Sequence, residues 1–182
     1  LLTQAILAEK GREIFLENRC MRCHTSEGKG IPEMAMSGPG FATIGDRRRS
    51  AWMAKWILDP KAHRPSARMP KMLLGETAQA DAQAIAAYLG SLHAPKKPAV
   101  NLFEVDHDAA EEMIRALNCI GCHNLPSEPA AEGKLSLAHV NQKFPKGELA
   151  AFLRAPNTHF AWTRMPKFDL SQKEASNIAQ WL

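Results

Sequence analysis

The four cysteines of this 182-residue chain fall in two pairs of equal spacing, and a histidine follows each pair at once: Cys20-Met21-Arg22-Cys23-His24 and Cys119-Ile120-Gly121-Cys122-His123. A two-residue spacer on a helical turn sets two thiols on one side, close enough to add to the two vinyl groups of a porphyrin. The next histidine then lies under the iron, so attachment and ligation are both local. The pentapeptide reads as a c-type haem attachment signature. Three other chemistries use paired cysteines. A four-cysteine zinc site needs closely spaced pairs, but 95 residues intervene between Cys23 and Cys119. A redox dithiol expects a strand before it, whereas both pairs end a helix-like segment. The zinc site would also leave the histidine incidental both times, and a structural disulfide is the third and likewise weaker reading. Cys20, Cys23, Cys119 and Cys122 are therefore expected to hold two covalent haems c, with His24 and His123 as iron ligands.

The opposite face of such an iron separates electron carriers from oxygen or peroxide chemistry, and methionine there raises the potential. Eight methionines compete for two positions. Met69 and Met165 stand out because both lie in the tetrapeptide Arg-Met-Pro-Lys, 45 and 42 residues after the two histidines. The following proline holds the methionine backbone extended. A core methionine filling a gap does not predict the same tetrapeptide twice. His63 and His159 are a rival pair, since bis-histidine ligation is chemically reasonable. They lie in a polar loop six residues before each methionine, and a surface or propionate-side role is expected of them. Met34, Met36, Met53 and Met72 have no repeat partner and read as loop or core residues.

The elements that must position these groups are themselves repeated. At an offset of 96 residues Trp56-Ile57-Leu58-Asp59-Pro60 falls on Phe152-Leu153-Arg154-Ala155-Pro156, and Arg68 to Lys71 on Arg164 to Lys167. The cysteines align at 99 and the closing helices, Ile85 to Leu89 and Ile178 to Leu182, at 93. One unit has been duplicated, with small deletions in the loops of the second copy. Each unit opens with an amphipathic helix (Ile6, Ile14 and Phe15; then Met113, Ile114 and Leu117) that ends in the cysteine motif. A Gly-, Pro- and Ser-rich stretch of roughly residues 25–50 follows without periodicity, long enough to wrap a cofactor. A helix with Trp52, Trp56 and Ile57 then stops at Pro60, and its counterpart with Leu149, Phe152 and Leu153 stops at Pro156. The last helix carries Ile85, Tyr88, Leu89 and Leu92. In the second copy Ser171 and Glu174 form a capping box. No strand pattern is evident. The fold class is all-α, with two tandem domains at 1–93 and 102–182 joined by a short, proline-stiffened linker at 94–101.

Composition agrees with a folded chain: 45% of residues are hydrophobic and 23% charged. No apolar run is long enough to span a bilayer, and the amino terminus lacks the succession of a signal peptide, so a soluble chain, mature or a fragment, is expected. The formal charge of +4 is offset by the propionates of two haems. Arg47, Arg48 and Arg49 form the one dense basic run, and nothing interleaves aromatic and basic residues as a nucleic-acid surface would.

These residues resemble the mitochondrial-type (class I) cytochrome c domain, here in tandem as in periplasmic dihaem cytochromes. Gly11 and Phe15 are similar to the family's opening-helix pair that packs on a last-helix aromatic, here Tyr88. Gly38-Pro39-Gly40-Phe41 resembles the segment whose proline carbonyl accepts the proximal histidine's ring N–H. By the same resemblance Arg47 falls at a propionate-binding arginine, Trp56 at an aromatic beside the methionine side of the haem, and Pro60 and Pro65 at two further matching prolines. The second copy departs from the pattern. Leu135 replaces Pro39, Lys143 replaces Arg47, Phe152 replaces Trp56, Ala161 replaces Pro65 and Ile114 replaces Phe15. Leu135 can still offer its carbonyl to His123, whereas the propionate contact changes character, and the two haems are expected to differ in potential.

The resemblance implies electron transfer through two six-coordinate His/Met haems, without catalytic residues. The partners would be redox proteins: a dehydrogenase or quinol-oxidising complex as donor, an oxidase or reductase as acceptor, with a membrane-associated complex among the settings. Covalent attachment implies assembly outside the cytoplasm, hence the bacterial periplasm or the periplasmic face of the inner membrane. The alternative is a dihaem enzyme, peroxidase-like or thiosulfate-oxidising, with one open or replaceable iron site. A third expectation follows from Leu182, which ends the chain inside its last helix: the chain is a piece of a larger protein or bears a disordered tail.

Overall fold

The computed structural model describes residues 2–18, 20, 38–95, 103–129, 131–158 and 163–182. Cys23, His24, Met34, Met36, His159, Ala161 and linker residues 96–101 lie outside the described residues. The chain divides into two compact units, Leu1–Lys97 and Pro98–Leu182, and the division falls inside the 94–101 stretch. Both are built mainly from helices.

In the first unit α1 (Leu2–Glu17) packs along α5 (Ala78–Gly90), and α3 (Ser50–Leu58) packs on the same helix. Two short helices, α2 (Ile44–Arg47) and α4 (Pro60–His63), complete it. The core consists of Ile14, Phe15, Phe41, Ile44, Met53, Ile57, Leu73, Ile85 and Leu89 with a run of small alanines on α5. Those alanines let the helices approach closely. The limit is reached at Gly11, where an added Cβ would lie 1.7 Å from the Ala84 carbonyl oxygen. One turn further, the Phe15 ring meets Phe41 edge-on and Tyr88 at a tilt, each at 5.6 Å between centroids.

The second unit repeats the arrangement with α6 (His107–Ala116), α7 (Val140–Lys143), α8 (Glu148–Arg154) and α9 (Gln172–Trp181). α6 and α8 both pack on α9, as α1 and α3 do on α5. α7 starts 96 residues after α2 and has the same length. Its core is Ile114, Val140, Phe144, Leu149, Leu153, Ala175, Ile178 and Leu182. Ala110, fully buried, stands where α1 has Gly11. Asp106 caps α6 by accepting from the Ala109 N–H at 3.0 Å. Ser171 and Glu174 cap α9 reciprocally, Oγ accepting from the Glu174 N–H at 3.2 Å and Oε2 from the Ser171 N–H at 2.8 Å.

The helices and strands depart from the sequence reading in several places. Ile6 is 63% exposed rather than buried. At 100° per residue it is rotated roughly 130° from the midpoint of Ile14 and Phe15, the face that meets α5. Pro60 opens α4 as well as closing α3, because Asp59 accepts from the Ala62 N–H at 3.1 Å and a proline at the first helical position sacrifices no bond. The 25–50 stretch contains α2, too short for a period to show. A pair of two-residue parallel strands, β1 (His123–Asn124) and β2 (Leu135–Ser136), is likewise below the length at which alternation is legible.

Candidate metal centres

The second motif is described most fully. α6 stops at Ala116, and Asn118 adopts a left-handed conformation (φ 52°) that turns the chain before the cysteines. Asparagine is among the few side chains that tolerate this region. Cys119–Gly121 then form a 3-10 turn, closed by Gly121 N–H to the Asn118 carbonyl at 3.0 Å and Cys122 N–H to the Cys119 carbonyl at 3.2 Å. The motif therefore sits on a separate turn after the helix, where sequence reading had it end the helix itself. Both thiols are free. Cys119 is half-buried against the core, which pushes its thiol pKa up, and Cys122 is exposed.

His123 Nδ1 lies 3.1 Å from the Leu135 carbonyl oxygen. A carbonyl can only accept, so Nδ1 carries the proton and the Nε2 lone pair is left for a metal. Burial lowers the His123 pKa, and the bond to Leu135 opposes this in part. The net effect favours the neutral imidazole that metal ligation requires. The acceptor is itself fixed: Leu135 N–H donates to the Cys122 carbonyl and Leu137 N–H to the Asn124 carbonyl, both at 2.9 Å. The thiol-bearing turn and the strand that orients the histidine are thus laced together. Such outer-shell bonds set the tautomer and ring direction of a ligand.

Cys119, Phe152 and Met165, like Met113, Leu117 and Ile120, are half-buried and pack against the core of this unit. Phe152 faces Phe144 at 5.6 Å. Lys143, half-buried, holds its ammonium 5.4 Å from the Phe144 ring centroid.

In the first unit Cys20 and Met69 both pack, half-buried, against the core, together with Leu58 and Tyr88. Trp56 is half-buried and stacks at 6.3 Å on Trp52, whose indole also meets the His63 ring at 5.0 Å. Pro39 is half-buried. Arg47 is only 6% exposed. Its Nη2 donates to the Gly40 carbonyl at 2.6 Å and its Nε to the carbonyl and hydroxyl of Thr43, both at 3.3 Å. The guanidinium therefore staples the loop after Pro39, an anchoring role that sequence reading did not assign.

Two further groups were not singled out. Asn177, buried, pairs with both backbone groups of Asp106, accepting from its N–H at 2.7 Å and donating to its carbonyl at 2.8 Å. Asp46 accepts from the Ala94 N–H at 2.7 Å and lies 3.0 Å from His93 Nδ1. Both partners of each pairing lie far apart in the chain, so no local spacing points to them.

Among the described residues no group of three or more His, Cys, Asp or Glu could by itself hold a metal ion. The donor set is instead two thiols one turn apart, a neutral imidazole and a thioether against an apolar wall. That set fits an iron brought by a porphyrin with the thiols as its covalent anchors.

The cytochrome c family matches residues 8–93. Cytochrome c oxidase subunit 2 of Alkalihalophilus pseudofirmus is 33% identical over 94 residues, which cover 47% of this chain and 26% of that protein. The chain thus spans about a quarter of that relative's length. No solved structure matches it significantly. The family match spans most of the first unit and suggests haem-based electron transfer there.

Proposed function

We propose that the chain carries two covalent c haems, one in each unit, both ligated by histidine and methionine, and that it relays electrons between redox proteins. Bound haem supplies one-electron exchange at iron. Cys20, Cys23, Cys119 and Cys122 would anchor the two groups, His24 and His123 would ligate from one side, and Met69 and Met165 from the other.

The observation that carries the reading into the second unit, beyond the family match, is the bond from His123 Nδ1 to the Leu135 carbonyl. It occurs at the position that the repeat pairs with Pro39, although a leucine stands there. Repetition of the helix order and of the packing on α9 supports the same reading. His123 is kept neutral and aimed; Phe152, Leu149 and Met165 supply an apolar wall that excludes water; Arg47 and Lys143 place one cation beside each site. Buried charge and solvent access are the protein's means of setting potential, so a deeply buried arginine against a half-buried lysine gives the sites unequal potentials.

Attachment of haem c outside the cytoplasm places the assembled protein in the periplasm or at the periplasmic face of the membrane. The relative from Alkalihalophilus pseudofirmus is an oxidase subunit, which favours an oxidase as acceptor and a relay module of a larger redox assembly as the form.

The test is a pyridine haemochrome assay against protein concentration, with intact mass, on chain matured in a periplasm. Two haems per chain are expected, falling to one when Cys119 and Cys122 are changed to alanine. One haem in the unaltered chain overturns the reading. The far-red methionine-to-ferric charge-transfer band should be present for both irons. Its absence at one iron, with a high-spin spectrum, turns the reading toward a dihaem enzyme.

A further inference from the structure

The two methionine loops share Arg-Met-Pro-Lys and differ in what holds them down. In the first unit Met69 is flanked by two buried side chains, Ala67 (9% exposed) just before it and Leu73 (5% exposed) just after. Ala67 closes a turn, its N–H donating to the Arg64 carbonyl at 2.8 Å. Leu73 belongs to the core. Between them Lys71 Nζ lies 3.7 Å from Asp59, a carboxylate itself fixed as the cap of α4. Met69 is thus tied to the fold on both sides.

At the offset of 96 each of these ties is changed. Thr163 stands for Ala67 and is half-buried; Asp169 stands for Leu73, with its side chain 97% exposed; Ala155 stands for Asp59 and offers no carboxylate. Lys167 pairs with Asp169 at 3.8 Å, an ion pair within the loop that does not fasten it to the unit. The Met165 N–H is likewise served locally, by Thr163 Oγ1 at 3.4 Å. The inward register is inverted as well. Met72 and Leu74 are exposed around buried Leu73, whereas Phe168 and Leu170 are half-buried around exposed Asp169. Beyond Met165 the loop next joins the core cluster at Leu170, whose carbonyl accepts from Arg154 Nε at 3.3 Å. Burying a leucine side chain favours a closed loop by about tenfold or more, and an exposed ion pair adds about a few-fold at most. The stronger of these two ties, next to the methionine, is the one the second copy lacks.

We infer that Met165 is a displaceable ligand, and that the second iron site admits a small uncharged lone-pair donor of imidazole-like chemistry while Met69 stays in place. The inference rests on the two-haem His/Met reading. Leu73, Ala67 and Asp59 are positioning residues, acting on Met69 through the backbone of its loop. The exchange is a substitution alone: the thioether sulfur of Met165 leaves the iron, a nitrogen lone pair takes its place, and no electron or proton moves. It gives the chain a ligand-binding function confined to one unit.

The test titrates the haem-loaded full chain, oxidised and at about pH 8, with imidazole, and follows the far-red methionine band. Imidazole is uncharged there. The comparison is therefore blind to charge, although all five Lys and Arg between residues 48 and 64 have uncharged counterparts in the second copy. Half of the band should disappear at an imidazole concentration about tenfold or more below that needed for the rest. In the chain with Cys119→Ala and Cys122→Ala the early half should be missing. Amide hydrogen exchange on the unaltered chain should be faster by about tenfold or more across residues 163–169 than across residues 67–73. Leu73→Ala should bring the late half toward the early one by about tenfold, and Lys71→Ala by about threefold at most. Loss of the band in a single step, an early half that survives without the second haem, or equal exchange in the two loops overturns the inference and leaves the His/Met reading standing. A band missing at one iron before any imidazole is added overturns both.

Discussion

Gly11→Ala sets two effects of opposite sign against each other. Inside a helix, alanine is favoured over glycine by about 1 kcal/mol, and on that ground alone the substitution stabilises. Here the new Cβ would lie 1.7 Å from the Ala84 oxygen, 2.3 Å from its carbonyl carbon and 2.9 Å from the Ile85 nitrogen. All three are backbone atoms of α5, so no rotamer change relieves the overlap. Real Cβ contacts essentially never fall below 3.0 Å, so α1 and α5 must part by more than 1 Å. That opens the packing of Ile14 and of Phe15 on Tyr88, and overpacking that side chains cannot absorb costs about 3 kcal/mol or more. Net of the helix-propensity gain the loss is about 2 kcal/mol or more, so with a urea dependence of about 1–3 kcal/mol/M the midpoint of the first unit should fall by about 0.7 M or more. Amide hydrogen exchange would assign the loss to the first unit. The mirror substitution, Ala110→Gly in the second unit, removes a fully buried methyl and adds helix entropy, for about 2 kcal/mol of destabilisation. If Gly11→Ala leaves the midpoint unchanged or raises it, the close contact of α1 with α5 is not what requires glycine.

Asn177→Leu removes both partners of the Asp106 backbone from a buried position and should cost the second unit about 2–3 kcal/mol, read by urea unfolding. Ser171→Ala should cost about 1 kcal/mol at neutral pH. Hydrogen bonds from Ser171 hold the Glu174 pKa below its ordinary value of 4.5, so their contribution is present above that pH and is lost as pH falls through the lowered value. The difference between wild type and Ser171→Ala should therefore narrow in acid, as thermal unfolding at pH 7 and pH 3 would show. Arg47→Met strips the Gly40 and Thr43 carbonyls of a donor and removes a buried cation. It should lower the midpoint potential of one haem and not the other in a spectroelectrochemical titration. Met69→Ala and Met165→Ala should each abolish part of the far-red band, with the remainder intact.

How far the fold could be read from the chain depended on whether a residue acted locally. The Phe15 contact with Tyr88 came from the family resemblance, and Gly11 meets the Ala84 backbone instead, whereas the capping box at Ser171 was legible from a short spacing and the Leu135 carbonyl from the internal repeat. Asn118 was not, since a single left-handed residue leaves no periodic trace. Nor was the pairing of Asn177 with Asp106, whose partners are 71 residues apart and have no counterpart in the first copy, where Gly11 meets Ala84 instead. Ile6 misled because a leucine- and isoleucine-rich helix end looks buried until the contacting face is fixed by Gly11 and Phe15. Arg47 was placed by resemblance toward a propionate. The structure adds bonds to Gly40 and Thr43, which only the folded loop brings within reach.

The equal lengths of α2 and α7 belong to a longer regularity. From Pro39 and Leu135 through to Leu74 and Leu170 the two copies run at a constant offset of 96, and the register slips only outside that window. The segment behaves as a ruler whose two ends are the histidine's acceptor carbonyl and the methionine loop. Substitution within it has been free enough to remove five cations, but its count of residues has not changed. Residues 39–74 and 135–170 are in this sense interchangeable parts, cut to one gauge and finished differently on the outside.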